Sequence, residues 1–128
     1  MWISLNEQDN HPIYLQIINQ IKEQVFKGTL RPGDELPSVR ELADSLGINM
    51  HTVRSAYLKL RDQGIINLRL GRRAKIARLQ PPSAVTDDVE ADFRVRIKEL
   101  ITDAFLMGLS PDGLRNLISQ QLAELKED

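Results

Sequence analysis

Two clusters of cationic and hydrogen-bonding side chains carry the chemistry this chain could perform. The first comprises Met50, His51, Thr52, Arg54, Ser55 and Lys59, interleaved with the apolar residues Val53, Ala56, Tyr57 and Leu60. The second is a run from Arg69 to Arg78 around Gly71, with Arg69, Arg72, Arg73, Lys75 and Arg78 and no acidic residue between them. Side chains of these types reach base edges and phosphate oxygens, so the chemistry they suit is recognition of a polyanion. Bond-making chemistry has no comparable support. The chain has no cysteine, and its two histidines, His11 and His51, have no partner at metal-ligand spacing. We find no nucleophile with a base, no phosphate-binding glycine loop and no Walker lysine, so neither an enzyme nor a cofactor is expected. The acidic pairs Asp34-Glu35 and Asp87-Asp88 fall in turn or linker sequence, where solvated charge accounts for them.

The elements that must position the first cluster are legible from a doubled apolar spacing. Val39, Leu42, Ala43 and Leu46 fall at i, i+3, i+4 and i+7, and Val53, Ala56, Tyr57 and Leu60 repeat the pattern beyond Gly47. Each segment is an amphipathic helix with one buried face, and the short connection makes the pair a helix-turn-helix. Ser38 followed by Glu41 forms a capping-box pattern at the start of the first helix. Asn49 is placed to cap the second, which should run from about Met50 to Asp62 before Gly64 ends it. The outer face of that second helix carries the polar cluster, toward a groove. Arg40, near the start of the first helix, and Arg54 face the same groove; Arg54 is expected to contact a base or a phosphate, and Arg40 to do so at the rim. Ser38 and Asn49 serve chiefly as caps, with phosphate contact through a helix N-terminus as a second use.

The second cluster lies on a hairpin. The segment Ile65 to Arg78 places β-branched and apolar residues on both sides of Gly71, so the helix-turn-helix becomes a winged helix. Cations at a hairpin tip touch phosphates or enter a minor groove. Ahead of both, His11-Pro12 opens a helix whose stripe is Ile13, Ile17, Ile21 and Val25 with Tyr14 and Ile18. Gly28 ends that helix, and Arg31-Pro32-Gly33-Asp34 is a tight turn.

The chain of 128 residues suits one small domain plus an appendage. The overall charge of -1 hides an asymmetry: residues 1 to 80 hold 12 Lys and Arg against 8 Asp and Glu, while residues 81 to 128 hold 5 against 10. The basic part attracts a polyanion; the acidic part better suits another protein chain. Pro81-Pro82 marks a connector. Two helices should follow, one with Val89, Phe93, Ile97, Leu100, Ile101 and Ala104 on a face, the other opening at Ser110-Pro111-Asp112 and carrying Leu114, Leu117, Ile118, Leu122 and Leu125. Two helices cannot bury such stripes alone, and the faces are long enough to pair with a second copy. They also offer too little wall to enclose the roughly 300 Å³ or more of a metabolite site. No run approaches the roughly 18 apolar residues that span a bilayer, and the first ten residues lack a secretory pattern, so a cytoplasmic protein without membrane contact is expected.

The expected architecture is therefore mainly α. A winged helix-turn-helix DNA-binding domain with a small β-hairpin wing spans 10–79, a linker 80–83, and a helical dimerisation hairpin 84–128. Phe93, Ile97, Leu100, Ile101, Leu114, Leu117, Ile118 and Leu122 are its dimerisation residues.

These residues also resemble a known family. Pro12-Ile13-Tyr14-Leu15-Gln16-Ile17, the stretch Gly28 to Ala43 containing Pro37-Ser38-Val39-Arg40, and Asn49 to Tyr57 look like the winged helix of GntR-type bacterial transcription regulators. The short helical back half, with Gly108-Leu109-Ser110-Pro111-Asp112 between its helices, resembles the YtrA-like subfamily. The resemblance implies a homodimer that binds operator DNA, an appendage that serves dimerisation, and transporter genes as frequent targets. It carries the Pro-Ser-x-Arg arginine onto Arg40 and the Thr-Val-Arg element onto Thr52, Val53 and Arg54. Many relatives have arginine just before Thr-Val, where this chain has Met50 and His51, and a thioether cannot make arginine's two-pronged guanine contact. The wing, Gly71-Arg72-Arg73-Ala74-Lys75-Ile76, is more basic and less glycine-rich than the family's Gly-x-Gly-Thr-Phe-Val. The expected function is a homodimeric repressor on an inverted-repeat operator, with half-site centres roughly 10 base pairs apart. The alternative is a winged-helix protein-interaction adaptor, which has no need of five uncompensated cations in its wing. The residues identify no small-molecule effector.

Overall fold

A computed structural model describes residues 3–69, 71–79 and 85–126. The chain divides into two compact units, Met1–Leu79 and Gln80–Asp128. The expected linker 80–83 and the start of the second domain at 84 lie outside the described residues, as do Leu70 and the side chain of Leu125.

Three helices and a small sheet make the first unit: α1 Ile13–Lys27, α2 Val39–Leu46, α3 Met50–Asp62, β1 Ile66–Asn67 and β2 Lys75–Ile76. The local signals read from the sequence appear as caps. Ser38 Oγ accepts from the Glu41 N–H at 3.1 Å while the Ser38 N–H donates to Glu41 Oε1 at 3.0 Å, a complete capping box. Asn49 Oδ1 accepts from the His51 N–H at 2.8 Å. Gly47 ends α2 at φ 70°, a left-handed conformation that costs a residue with a Cβ but not glycine.

The core gathers Ile17, Ile18, Ile21, Leu42, Val53, Ala56, Tyr57, Leu60, Ile66 and Ile76. Both halves of the doubled spacing point into it, although Val39 and Leu46 at the ends of α2 are only half-buried. The stripe expected on α1 is shorter than its sequence suggests, since Ile13 and Tyr14 are both 41% exposed in the first turn.

Unit one also extends ahead of residue 10, where the domain was expected to begin. Ile3 is buried against the core. Two glutamines of α1 hold this segment: Gln20 accepts from the Ser4 N–H at 2.9 Å and donates to the Ser4 carbonyl at 2.7 Å. The buried Gln16 does the same for Asn6 and also donates to the His11 carbonyl. A buried amide with its donors and acceptor paired avoids the desolvation cost of burial.

The sheet is short, with Ile66 opposite Ile76 and Asn67 opposite Lys75 in antiparallel register. Its other edge is closed by the turn before α2, which the sequence presents only as a connector. Ile76 N–H donates to the Asp34 carbonyl at 2.9 Å, Leu36 N–H to the Ala74 carbonyl at 2.8 Å, and Glu35 bridges Lys75. The base of the wing is thus sewn to the helix-turn-helix by backbone.

In the second unit, α4 Asp87–Leu106 is capped by Thr86 and α5 Pro111–Lys126 by Ser110, whose hydroxyl accepts from the Gly113 N–H at 3.0 Å. No residue of α4 is buried.

Candidate nucleic-acid interface

The outer face of α3 forms as a consequence of what its inner face buries. Val53, Ala56, Tyr57 and Leu60 point into the core, which leaves His51, Arg54, Ser55 and Lys59 exposed, Met50 38% exposed at the N-terminal edge, and Thr52 half-buried. Tyr57 does more than fill space: its hydroxyl donates to the Pro37 carbonyl at 2.7 Å and so ties α3 to the residue just before the cap of α2. Burial, helped by the negative charge of Glu41, pushes the Tyr57 hydroxyl well above its ordinary value, so it stays a donor into alkaline pH, where an exposed tyrosine ionises.

Arg40 is exposed on the first turn of α2. Ser38 and Asn49 have their side-chain oxygens engaged as caps, the role the sequence assigns them first.

In the wing, Gly71 adopts φ 74° beside a turn closed by Arg72 N–H to the Arg69 carbonyl at 3.1 Å. Arg69, Arg72, Lys75 and Arg78 are exposed and, among the described residues, no carboxylate lies within ion-pair distance of them. The same holds for Arg40, Arg54 and Lys59. The five wing cations are not all uncompensated, however. Arg73 Nη2 lies 2.8 Å from Glu41 Oε2, and Glu35 joins Asn67, Arg69, Arg72, Arg73 and Lys75 around an open concavity of about 420 Å³. Both acids come from chain segments ahead of the wing, so a reading of the run Arg69–Arg78 by itself misses them. The one available signal was the position of Glu41 beside a cap. The Glu41 carboxyl is held below its ordinary value by the Ser38 N–H first, then by the Ser38 hydroxyl, with the Arg73 charge adding to both.

The residues assigned to dimerisation belong to the second unit. Phe93, Ile97, Leu100 and Ile101 of α4 and Leu117, Ile118 and Leu122 of α5 are each 44–55% exposed, and Leu114 is half-buried. Arg96 places its guanidinium 5.2 Å from the Phe93 ring centroid. Ile97, Leu100, Ile101, Leu114 and Ile118 line an apolar groove of about 420 Å³. The groove is open and its lining side chains stay half in solvent, so it is a surface concavity rather than an enclosed site. Among the described residues no group of acidic or histidine side chains is arranged to hold a metal ion, and no helix is long and apolar enough to cross a membrane.

Similarity to known proteins agrees with this geometry. The family described as "Bacterial regulatory proteins, gntR family" matches residues 13–76, from the start of α1 to the end of β2. The HTH-type transcriptional repressor YtrA of Bacillus subtilis is 39% identical over 127 residues, covering 97% of this chain and 95% of that protein. A solved structure described as a transcriptional antiterminator from Listeria monocytogenes EGD-e superimposes with a TM-score of 0.83 at 33% identity, covering 95% of this chain and 90% of that one. The DNA-binding domain of AraR, solved in complex with operator ORE1, superimposes at 0.51 with 27% identity over 58% of this chain and 90% of its own. Helix-turn-helix, wing and helical tail all lie within the similarity, and the chain belongs to the GntR family of bacterial regulatory proteins, a family of regulators rather than enzymes.

Proposed function

We propose that this protein is a homodimeric transcriptional repressor acting in the cytoplasm on an inverted-repeat operator. One observation carries the reading: Arg40, Arg54, Lys59, Arg69 and Arg72 are exposed on the helix-turn-helix and its wing, without carboxylate partners among the described residues. The family's AraR domain, crystallised on its operator, supports applying that surface to duplex DNA. Repression follows the relative YtrA. In this reading Arg54 contacts a base or a phosphate from α3, with Met50, His51, Thr52, Ser55 and Lys59 beside it. Arg40 works at the groove rim, and Ser38 and Asn49 offer capped helix N-termini to phosphates. Arg69, Arg72 and the close backbone approach allowed by Gly71 serve the wing.

The apolar faces of α4 and α5 pair two copies through Phe93, Ile97, Leu100, Ile101, Leu114, Leu117, Ile118 and Leu122. A face this apolar left half in water is the ordinary mark of an interface. By resemblance to the YtrA-like subfamily, we place the operator at a transporter operon.

The test is retardation of the promoter DNA of the protein's own operon at low salt, repeated across salt for Arg54→Ala and Arg72→Ala. Each lost phosphate contact lowers the slope of log affinity against log salt by about 0.9. A base contact at Arg54 costs about 1–3 kcal/mol and relaxes specificity at one position. Failure of the unsubstituted protein to retard its promoter would favour an adaptor that binds protein through the same fold.

A further inference from the structure

We propose that Arg73 positions the wing and does not contact phosphate: its ion pair with Glu41 clasps the wing tip to the start of α2, and thereby sets the tip's direction relative to α3. The proposal deepens the operator-binding reading and rests on it for its DNA measurements.

The clasp is built on one carboxylate that uses each oxygen for a different element. Glu41 Oε1 accepts the Ser38 N–H at 3.0 Å and completes the cap of α2; Glu41 Oε2 receives Arg73 Nη2 at 2.8 Å from 32 residues away. Its carboxylate is therefore held in place before Arg73 arrives, and a half-exposed arginine loses less freedom on meeting a fixed partner than a free one. The tip needs such a fixing. Backbone pairing with β1 ends at Asn67, and the last ladder bond toward α2 is Leu36 N–H to the Ala74 carbonyl. Beyond Ala74, the Arg72-to-Arg69 turn bond and the Arg73 side chain hold the described tip residues, above Leu68, which packs partly buried against the core. Since α2 packs on α3, whatever fixes the tip to α2 also fixes the angle between the wing and α3.

Charge counting gives the opposite expectation, which makes the inference testable. Glu41 is an acid beside a surface proposed to meet phosphates, so its removal should strengthen DNA binding if Arg73 were a phosphate contact held in reserve. If Arg73 is a clasp, removing either partner weakens binding. Glu41→Gln separates the two roles of the carboxylate, because a glutamine side-chain oxygen still completes a capping box while its NH₂ faces Arg73 without charge.

The experiment measures affinity for a promoter fragment by anisotropy across salt for the unsubstituted protein, Glu41→Gln, Arg73→Gln, the double variant and Arg72→Ala. We expect Glu41→Gln and Arg73→Gln each to weaken binding by roughly two- to fivefold, the range of an exposed ion pair, with unchanged salt slope and no further loss in the double variant. Arg72→Ala should lower the slope by about 0.9. Tighter binding by Glu41→Gln, or a slope lowered in Arg73→Gln as in Arg72→Ala, would overturn the clasp. Backbone ¹⁵N relaxation of Arg72, Arg73 and Ala74 in the free protein supplies an arm independent of DNA. Their order parameters should fall in both single variants, and unchanged values would also overturn the clasp. If the unsubstituted protein binds no DNA, the operator reading fails while the relaxation arm still decides the clasp.

Discussion

The two units of this molecule use the same apolar alphabet to opposite ends. In the first, Leu42, Val53, Tyr57 and Leu60 reach essentially complete burial, while in the second Ile97, Leu100, Ile101 and Ile118 stand about half in water. The helix patterns alone do not distinguish them. The difference is the number of neighbouring elements: α3 is covered by α1, α2 and β1, whereas α4 has α5 as its one packing element among the described residues of its unit. An apolar stripe is thus a demand for a partner, and the first unit meets it internally while the second leaves its stripes about half in water.

The contrast breaks most readily at the centre of the first unit. Leu60→Ala, emptying a fully buried site, should cost about 2–5 kcal/mol in urea unfolding, while Leu100→Ala in the uncovered face should cost the monomer far less. Equal losses in the two variants would mean that α4 is buried as deeply as α3. A charge placed in the uncovered face sharpens the other side. Ile118→Asp should shift sedimentation equilibrium from dimer to monomer and weaken operator binding by tenfold or more, with the melting of the first unit unchanged.

A smaller effect is expected at Tyr57, where Phe substitution removes the bond to the Pro37 carbonyl at a cost of about 1 kcal/mol near neutral pH. The sign at high pH is informative. Because the folded hydroxyl titrates above its ordinary 10.0, its contribution is complete below that pH and is lost as pH rises beyond it, when only the unfolded chain ionises. Alkaline melts of Tyr57→Phe should lack that decline. The smallest effect belongs to Glu41, whose carboxyl is held below its ordinary 4.5 by the Ser38 N–H, the Ser38 hydroxyl and Arg73. Its contribution is present above that value and disappears as pH falls through the folded one. Acid unfolding followed by circular dichroism should therefore be slightly flatter in Glu41→Gln.

How far the sequence could be read follows from the same distinction. Ser38 and Glu41, three residues apart, announce their capping box because both partners sit in one turn. Gly47 and Asn49 announce the turn between α2 and α3 for the same reason. The polar cluster on α3 was legible too, being whatever remains once the apolar spacing is assigned inward. Three features escaped. Ile3 lies outside any periodic run, and its place in the core depends on Gln16 and Gln20, ten or more residues away. The turn before α2 shows proline and glycine, and nothing in those residue types says that it will edge the sheet. Arg73 stands in a run free of acids, so its meeting with Glu41 is invisible to any local window.

By itself, the sequence determined the helices, their caps, the turn residues and the faces that demand burial, because those depend on groups within about four residues of one another. The tertiary structure alone decided which demands are met inside the chain and which acid meets which cation. Such contacts require distant segments to be brought together at an entropic cost that only the collective burial of the core offsets, so no single residue type records them.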